Sequence, residues 1–269
     1  MKSDHWLFFL LNIVFTWIFW FAAISFGGFT EIIGFLFYII GGTGPLVSAL
    51  ILVGFKDGTV GIRKLLSRMV QTRSIKIKWL SLSVLIIFIP VITASILEIV
   101  FLGTWTAMTN AIVFFSGFSI WTISIIFNLI AVILEEPGWR GLALDSLQKQ
   151  YNAVRSSIIV GIIWAAWHLP LFVMPGTYQE AIGLGTIGFW LYMGAIPATS
   201  ILISWFYNNS NNSILAAMVF HLLNNLAGEI FSLDVILEIP RVLVSYLIVL
   251  CVIYYFGYDS LIRKAGNDS

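Results

Sequence analysis

The sequence carries very little charge for its length. Of its 269 residues only 10% are Asp, Glu, Lys or Arg, whereas 59% are hydrophobic, and the mean hydropathy is +0.97. A soluble domain of this size needs a larger charged surface, so the composition excludes an ordinary soluble protein and indicates a polytopic membrane protein. The formal net charge of +1, without a basic and aromatic-rich patch, predicts no nucleic-acid partner.

Cysteine and histidine are also scarce. The single cysteine, Cys251, lies in a late apolar run, which excludes a disulfide framework and a cysteine-based metal site. Of the three histidines, His5 precedes the first apolar segment and is expected at the membrane interface. His168 and His221 interrupt apolar segments, where an ionisable side chain is costly and marks a candidate functional site.

Hydrophobic segments of membrane-spanning length are abundant. We predict eight helical spans of 17–23 residues, which is the length range of helices that cross a hydrocarbon core of about 30 Å. They are residues 6–26, 32–54, 79–101, 115–136, 156–174, 186–207, 213–229 and 241–257. The first has no small-residue cleavage site and is expected to be a span. The fold class is therefore predicted to be all-α and polytopic, with residues 1–269 forming a single integral-membrane domain.

Two segments interrupt this pattern. Gly41, Gly42 and Gly44, followed by Pro45, fall within the second span and predict a kink or a close helix contact there. Residues 103–114 are ambiguous and are expected at the interface before the fourth span.

The basic residues predict the orientation. If the eight spans alternate, thirteen of the 14 Lys and Arg residues fall on one side, seven of them within 56–78, and only Arg241 falls opposite. The others on the basic side are Lys2, Arg140, Lys149, Arg155, Arg263 and Lys264. The positive-inside rule then places both termini in the cytoplasm. The basic amphipathic stretch 61–72, GIRKLLSRMVQT, is expected on the anionic inner leaflet.

The run AVILEEPGWRG closes the fourth span with charged residues. Glu136 and Arg140 are four residues apart, so they can pair on a continuing helix. Glu135 points about 100° away from Glu136, lacks that partner, and shares a polar helix face with Asn128. Pro137 removes one backbone hydrogen bond and is expected to loosen the turn at Glu135, near the inner end of the span.

Two later spans carry paired side chains. Trp164 and His168 are one turn apart on the fifth span, so the indole is expected to pack against the imidazole. On the seventh span His221 and Asn225 are one turn apart and offer two neutral hydrogen-bond donors, while Asn224 suits an interhelical contact. The three helices can converge in the cytoplasmic half of the membrane if the fifth span begins later than drawn.

These side chains suit the hydrolysis of an amide bond. A buried Glu135 can act as the base for a bound water, and one histidine can hold that water. The other histidine and Asn225 can donate to the oxyanion of the tetrahedral intermediate. A zinc site with Glu135, His168 and His221 as ligands is the competing arrangement. The lack of an H-E-x-x-H motif and the presence of Asn225 favour a mechanism without a cofactor.

Three motifs resemble those of the CPBP family, also called Abi, which contains CAAX prenyl proteases and bacteriocin-processing or self-immunity proteins. The segments are EEPGWRG at 135–141, WAAWH at 164–168 and HLLNN at 221–225. They correspond to EExxxR, to an aromatic residue four positions before His, and to HxxxN. The match departs from the usual pattern at Trp164, where Phe is usual.

The resemblance implies an intramembrane endopeptidase whose catalytic core covers about 115–257. Glu135 and His168 would activate water, and His221 and Asn225 would form the oxyanion hole. Glu136, Arg140 and Trp164 would support the site. The family is historically labelled metalloprotease, although a glutamate-based mechanism is favoured here.

The same resemblance implies the setting of the reaction. The chain is expected to be a multi-pass protein of a prokaryotic plasma membrane, with the lipid bilayer and a membrane-associated peptide or protein as partners. The substrate would be prenylated or bacteriocin-like and cleaved near the cytoplasmic leaflet. The alternatives are a non-catalytic immunity or scaffold protein, and an ion-coupled transporter, against which the lack of an inverted repeat argues.

Overall fold

The structure, a computed structural model, describes residues 4–263, so Lys2 and Lys264 of the orientation prediction lie outside it. The described part is helical throughout and contains no strand. Its α-helices are α1 (Asp4–Ser25), α2 (Ile32–Gly42), α3 (Gly44–Ser67), α4 (Ile77–Leu97), α5 (Thr106–Ser116), α6 (Phe118–Gly138), α7 (Asp145–Leu147), α8 (Ala153–Trp167), α9 (Tyr178–Ile182), α10 (Ile187–Asn209), α11 (Ile214–Ile230) and α12 (Val235–Phe256). Turns of 3-10 helix cover Gly28–Thr30, Arg68–Val70, Thr72–Ser74 and Leu169–Val173, and π-helical turns cover Glu98–Leu102 and Trp139–Leu144.

Seven helical segments within the described residues are long and apolar enough to cross a membrane. They are Asp4–Ser25, Gly44–Val70, Ile77–Leu102, Phe118–Leu147, Ala153–Val173, Ile187–Asn209 and Val235–Phe256. The chain is therefore an all-α, multi-pass membrane protein, as predicted. The predicted seventh span is α11, which has 17 residues and covers about 25 Å at the standard rise, less than a hydrocarbon core of about 30 Å.

The predicted second span is kinked at its glycines. It is divided at Thr43 into α2 and α3, and α1 packs against both helices. A Cβ atom on Gly44 would lie 2.1 Å from Thr16 Oγ1, so the missing side chain is what allows α1 to approach. The predicted kink and close contact are both present.

The third helix continues beyond the predicted end of its span at residue 54. Gly58 has φ +61° and ψ −155°, a conformation open mainly to glycine, and it separates the spanning part from a second helical stretch. That second stretch, which ends at Ser67, contains the first part of the predicted amphipathic segment 61–72. It buries Gly61 and Leu65 and exposes Arg63 and Lys64.

The fourth span also runs further than predicted. Pro137 does not end it, because the helix passes into the π-helical turn Trp139–Leu144 and then into α7. Glu135 therefore lies twelve residues, about 18 Å, before Leu147 rather than near the inner end of the span. The Trp139 N–H lies within hydrogen-bonding reach of the carbonyls of Glu135 and Glu136, which keeps the backbone helical across the proline.

The fifth span begins at Ala153, three residues earlier than drawn, so the later start that was named as a condition for convergence is not found. The Asn152 side chain caps α8 by accepting the N–H of Arg155 at 2.8 Å, so the helix starts at Ala153. The helix ends at Trp167, because Pro170 disfavours helical backbone before it and the chain turns into 3-10 helix. His168 is thus the residue that ends the helix, not one within it.

Three helices, α6, α8 and α11, meet in the interior. α6 contacts α3 on one side and α11 on the other, while α8 packs against α10. The ambiguous segment 103–114 largely forms the short helix α5, whose first N–H groups bond to the buried carboxylate of Glu98. His5 was expected at the interface but is fully buried, with Nδ1 3.1 Å from Ser146 Oγ, because α1 packs against α7.

Candidate active site

Trp164 is the side chain on which three helices converge. Its Nε1–H donates to Glu135 Oε2 of α6 at 2.9 Å. Its ring lies 5.9 Å from the His168 ring and 4.9 Å from the His221 ring of α11, measured between centroids. The Arg140 guanidinium lies 4.9 Å from the indole centroid. The packing against His168 was predicted, whereas the hydrogen bond to Glu135 was not.

Glu136 is bound by two partners in the interior. Its Oε1 accepts a 2.8 Å hydrogen bond from Arg140 Nη1, and both side chains are 0% exposed. The same oxygen lies 2.8 Å from His221 Nδ1. The pair with Arg140 was predicted from the four-residue spacing. The bond to His221, 85 residues along the chain, was not predicted, and it links α6 to α11.

The bond to Glu136 determines what His221 can donate. A carboxylate only accepts hydrogen bonds, so Nδ1 must carry a hydrogen. The free nitrogen is then Nε2, which carries a second hydrogen only when the ring is an imidazolium. The expectation that His221 offers a neutral donor beside Asn225 is therefore wrong, because its neutral form has already given its only N–H to Glu136.

His168 is oriented by the end of its own helix. Its Nδ1 lies 2.8 Å from the Trp164 carbonyl oxygen, so Nδ1–H donates and a neutral ring keeps Nε2 as an acceptor. Trp167 packs edge-on against the imidazole with centroids 4.9 Å apart. Tyr192 of α10 also contacts the ring at 5.7 Å, and no sequence pattern had singled it out.

The two asparagines beside these residues differ in their contacts. Asn225 is partly exposed, and its side chain makes no hydrogen bond to the described part of the chain. Asn128 is buried as predicted, but its amide donates to Glu229 Oε1 at 2.7 Å and to the Ser124 carbonyl at 3.0 Å. The polar face of α6 therefore continues from Glu135 towards the far end of α11.

The charges of the central cluster are balanced when His221 is protonated. Glu135 and Glu136 then face Arg140 and His221, two anions against two cations, and all four side chains are buried. Buried charges persist when they are paired and hydrogen-bonded. Between residues 4 and 263 no three His, Cys, Asp or Glu side chains are grouped so as to hold a metal ion.

A second polar network supports the π-helical turn that follows the cluster. The Tyr207 hydroxyl donates to Asp145 Oδ1 at 2.6 Å and lies 3.2 Å from the carbonyl oxygen of Arg140. Arg68 bonds to both Tyr207 and Asp145 and to the Asn212 carbonyl. The sequence did not single out this network, because Tyr207 closes a predicted span and Arg68 and Asp145 lie in connections between spans, where polar residues are ordinary.

Comparisons with known proteins point to one family. Residues 116–227 match the family described as Type II CAAX prenyl endopeptidase Rce1-like. Over 261 residues the chain is 30% identical to CAAX prenyl protease 2 of Methanococcus maripaludis, and the alignment covers 94% of each protein. The matched segment contains Glu135, Glu136, Arg140, Trp164, His168, His221 and Asn225.

Proposed function

This chain belongs to the CAAX prenyl endopeptidase family, and from that premise we propose that it cleaves a peptide bond of a membrane-associated substrate within the bilayer. One observation carries the proposal: Trp164 brings Glu135, His168 and His221 of three different helices into one buried cluster. Ionisable groups assembled inside a membrane protein are costly, and such a set matches the needs of amide hydrolysis.

Glu135 is the proposed base. Its Oε2 is bound by the Trp164 indole, which leaves Oε1 to accept a hydrogen from the attacking water. The water oxygen forms a bond to the carbonyl carbon while its proton passes to Glu135. When the tetrahedral intermediate collapses, the carbon–nitrogen bond breaks and Glu135 returns that proton to the leaving amine.

His168 is proposed to hold the same water. Because its Nδ1–H is bound to the Trp164 carbonyl, the Nε2 of the neutral ring is left as an acceptor. A water that donates one hydrogen to His168 and the other to Glu135 has its lone pair directed away from both residues. It is then oriented for attack before the substrate arrives, which is the main contribution of a positioned nucleophile.

Asn225 and His221 are proposed to stabilise the oxyanion. The Asn225 amide has no competing partner among the described residues, so its N–H group is free to donate. His221 donates from Nε2 as an imidazolium, whose charge is compensated by Glu136 at 2.8 Å. Donors placed where negative charge develops supply a large part of catalysis, typically about 10²- to 10³-fold for each donor.

The proposed reaction uses no metal. Each histidine would present one nitrogen, and a zinc site would take both of them together with Glu135. Asn225 is a poor zinc ligand and a natural oxyanion donor, which favours the metal-free assignment. Stoichiometric zinc in the purified, active protein, together with loss of activity on chelation, would replace it with the zinc mechanism.

The proposed substrate is a lipid-anchored or amphipathic peptide that reaches the site from the cytoplasmic leaflet. Glu135 lies within the membrane-spanning segment Phe118–Leu147, twelve residues before its end, so the proposal places the scissile bond inside the bilayer. A prenyl chain or an apolar peptide face makes that entry favourable, at about 0.8 kcal/mol for each buried CH₂ group. The name of the archaeal relative supports a prenylated peptide as the first probe.

The proposal is tested with purified protein in liposomes and a fluorogenic peptide ending in a CAAX sequence, with and without a farnesyl group. We expect cleavage of the farnesylated peptide, and release that is at least about tenfold slower for the unmodified one. A protein that cleaves neither peptide, nor any other lipid-anchored reporter, is not an endopeptidase. If the same liposomes show proton-coupled flux, the transporter alternative replaces the proposal.

A further inference from the structure

Trp167, the residue before His168, is bound to α1 by two hydrogen bonds. Its indole Nε1–H donates to Thr16 Oγ1 at 2.9 Å. Its carbonyl oxygen accepts the indole N–H of Trp17 at 3.3 Å. Two consecutive residues of α1 therefore bind the side chain and the backbone of the last residue of α8.

The position of Thr16 is itself determined by a third helix. Its hydroxyl donates to the Gly41 carbonyl of α2 at 2.9 Å, and the side chain is fully buried. A Cβ atom on Gly44 would lie 2.1 Å from the hydroxyl oxygen, so glycine at that position is required for the contact. The hydroxyl thus links α2 to Trp167 through one donated and one accepted hydrogen bond.

The contact between α1 and Trp167 lies at the C-terminal end of α8, where the helical hydrogen bonds stop. The last four carbonyls of an α-helix have no partner within it, and the Trp17 N–H satisfies one of them. His168 follows directly, at the change from α-helix to 3-10 helix. Its ring meets the Trp167 indole at 4.9 Å and 87°, so a rotation of that indole must move the imidazole.

We propose that Thr16 and Trp17 are positioning residues for His168 and act through Trp167. They belong to α1, which lies outside the family-matched segment 116–227, so this helix completes a site whose other members all lie within that segment. The proposal rests on the proposed function, because it assigns to α1 the orientation of the histidine that holds the attacking water.

The kinetic test uses Thr16→Val, which keeps the β-branched shape but removes the hydroxyl. We expect kcat to fall about tenfold while KM stays within about twofold, since the substrate still binds but the water is misplaced. Thr16→Ser, which restores the hydroxyl, should recover most of kcat. Trp17→Phe keeps an aromatic ring but removes the indole N–H and part of the ring system, and it should reduce kcat in the same direction if Thr16→Val fails to fold.

The matched control is Ser200→Ala. Ser200 is also a fully buried hydroxyl that links two helices, donating to the Ser157 carbonyl at 2.9 Å, but it contacts none of the site residues. Its kcat should remain within about twofold of the wild-type value. Unchanged kcat in both Thr16→Val and Trp17→Phe, or an equal loss in Ser200→Ala, overturns the proposal.

A second readout does not depend on activity. The chain has three histidines, so the imidazole nitrogens of protein labelled with ¹⁵N-histidine can be assigned by single replacements. Thr16→Val should shift the His168 resonances and leave those of His221 in place, and Thr16→Ser should restore them. If the wild-type protein cleaves no reporter, the proposed function fails, yet this spectrum still decides the inference: unchanged His168 resonances would refute it.

Discussion

At the scale of single residues, the adjacent carboxylates Glu135 and Glu136 have different partners. Glu136 binds the Arg140 guanidinium and the His221 imidazole through one oxygen atom. Glu135 accepts a neutral indole N–H and keeps one oxygen free of hydrogen bonds to the described residues. The first carboxylate is therefore suited to hold the structure together, and the second to accept a proton.

The structural role of Glu136 can be tested by Glu136→Gln. The variant leaves the Arg140 charge buried without its counter-ion, so we expect the free energy of unfolding to fall by about 3–5 kcal/mol. Chemical denaturation in detergent micelles measures this quantity. The exposed Glu180→Gln is the control and should change it by less than about 0.5 kcal/mol. Equal stability of the two variants would show that the buried pair is not needed.

The sequence could predict contacts between residues close along a helix but not those between helices. The pairing of Glu136 with Arg140 follows from a spacing of four residues on one helix. The bond between Glu136 and His221 joins residues 85 apart, and no local pattern specifies it. This bond decides which His221 nitrogen remains free. The expectation of a neutral donor at His221 failed because it depended on a tertiary contact that the sequence does not reveal.

At the scale of elements, α11 is short and is bound to α6 at two points. Near its middle, His221 binds Glu136 of α6. Near its end, Glu229 accepts hydrogen bonds from Asn128 and Ser124, which also belong to α6. Asn225 lies between these two attachments, so the alignment of α11 with α6 sets the position of the proposed oxyanion donor.

Replacing Glu229 should therefore affect both stability and activity. Glu229→Ala leaves one N–H of the Asn128 amide without its acceptor, and we expect a loss of about 1–3 kcal/mol in the free energy of unfolding, together with reduced kcat. Glu238→Ala removes the acidic partner of Arg241 in a partly exposed pair and should cost less than about 1 kcal/mol. Unfolding curves and reporter cleavage measure both effects. The account of α11 is contradicted if the two variants behave alike.

The basic stretch after Gly58 is the other element with a testable role. Leu65 packs in the core of the protein, which leaves the charged side chains of Arg63 and Lys64 exposed and able to meet an anionic surface. Amide exchange at 59–67 should slow when anionic lipid is added to neutral liposomes, because each basic residue contributes about 1 kcal/mol to the attraction between the helix and an anionic membrane surface. Arg63→Gln combined with Lys64→Gln should remove most of this protection. Equal protection in neutral and anionic liposomes would argue against a surface role.

Element boundaries show which parts of the fold the sequence could not specify. Pro137 and the charged residues on either side of it suggested the end of a span, but the π-helical turn carries the helix to Leu147. The predicted end of the fifth span at 174 agrees with the segment Ala153–Val173, but the change from α-helix to 3-10 helix before Pro170 leaves no mark in the hydropathy profile. Hydropathy measures how apolar a stretch is and says little about its backbone.

At the scale of the whole molecule, the proposed catalytic side chains lie in the matched segment, and some of the residues that support them lie outside it. The segment 116–227 supplies the proposed catalytic side chains. Outside it, α1 contributes Phe8, whose ring lies edge-on to Trp139 at 5.6 Å, and the residues that hold Trp167. The fold class, the multi-pass character and the family could be predicted from composition and motifs. The cytoplasmic placement of both termini stays a prediction from the basic residues.

The central claim is that Glu135 is the base of an intramembrane peptidase, and Glu135→Gln in liposomes tests it most directly. Glu98→Gln is the matched control. Glu98 is also a buried carboxylate, and the hydrogen bonds that it accepts come from N–H groups at the start of α5. We predict that Glu135→Gln folds and binds the farnesylated reporter but cleaves it at least about 10²-fold more slowly, whereas Glu98→Gln keeps wild-type kcat. Wild-type turnover by Glu135→Gln would contradict the account.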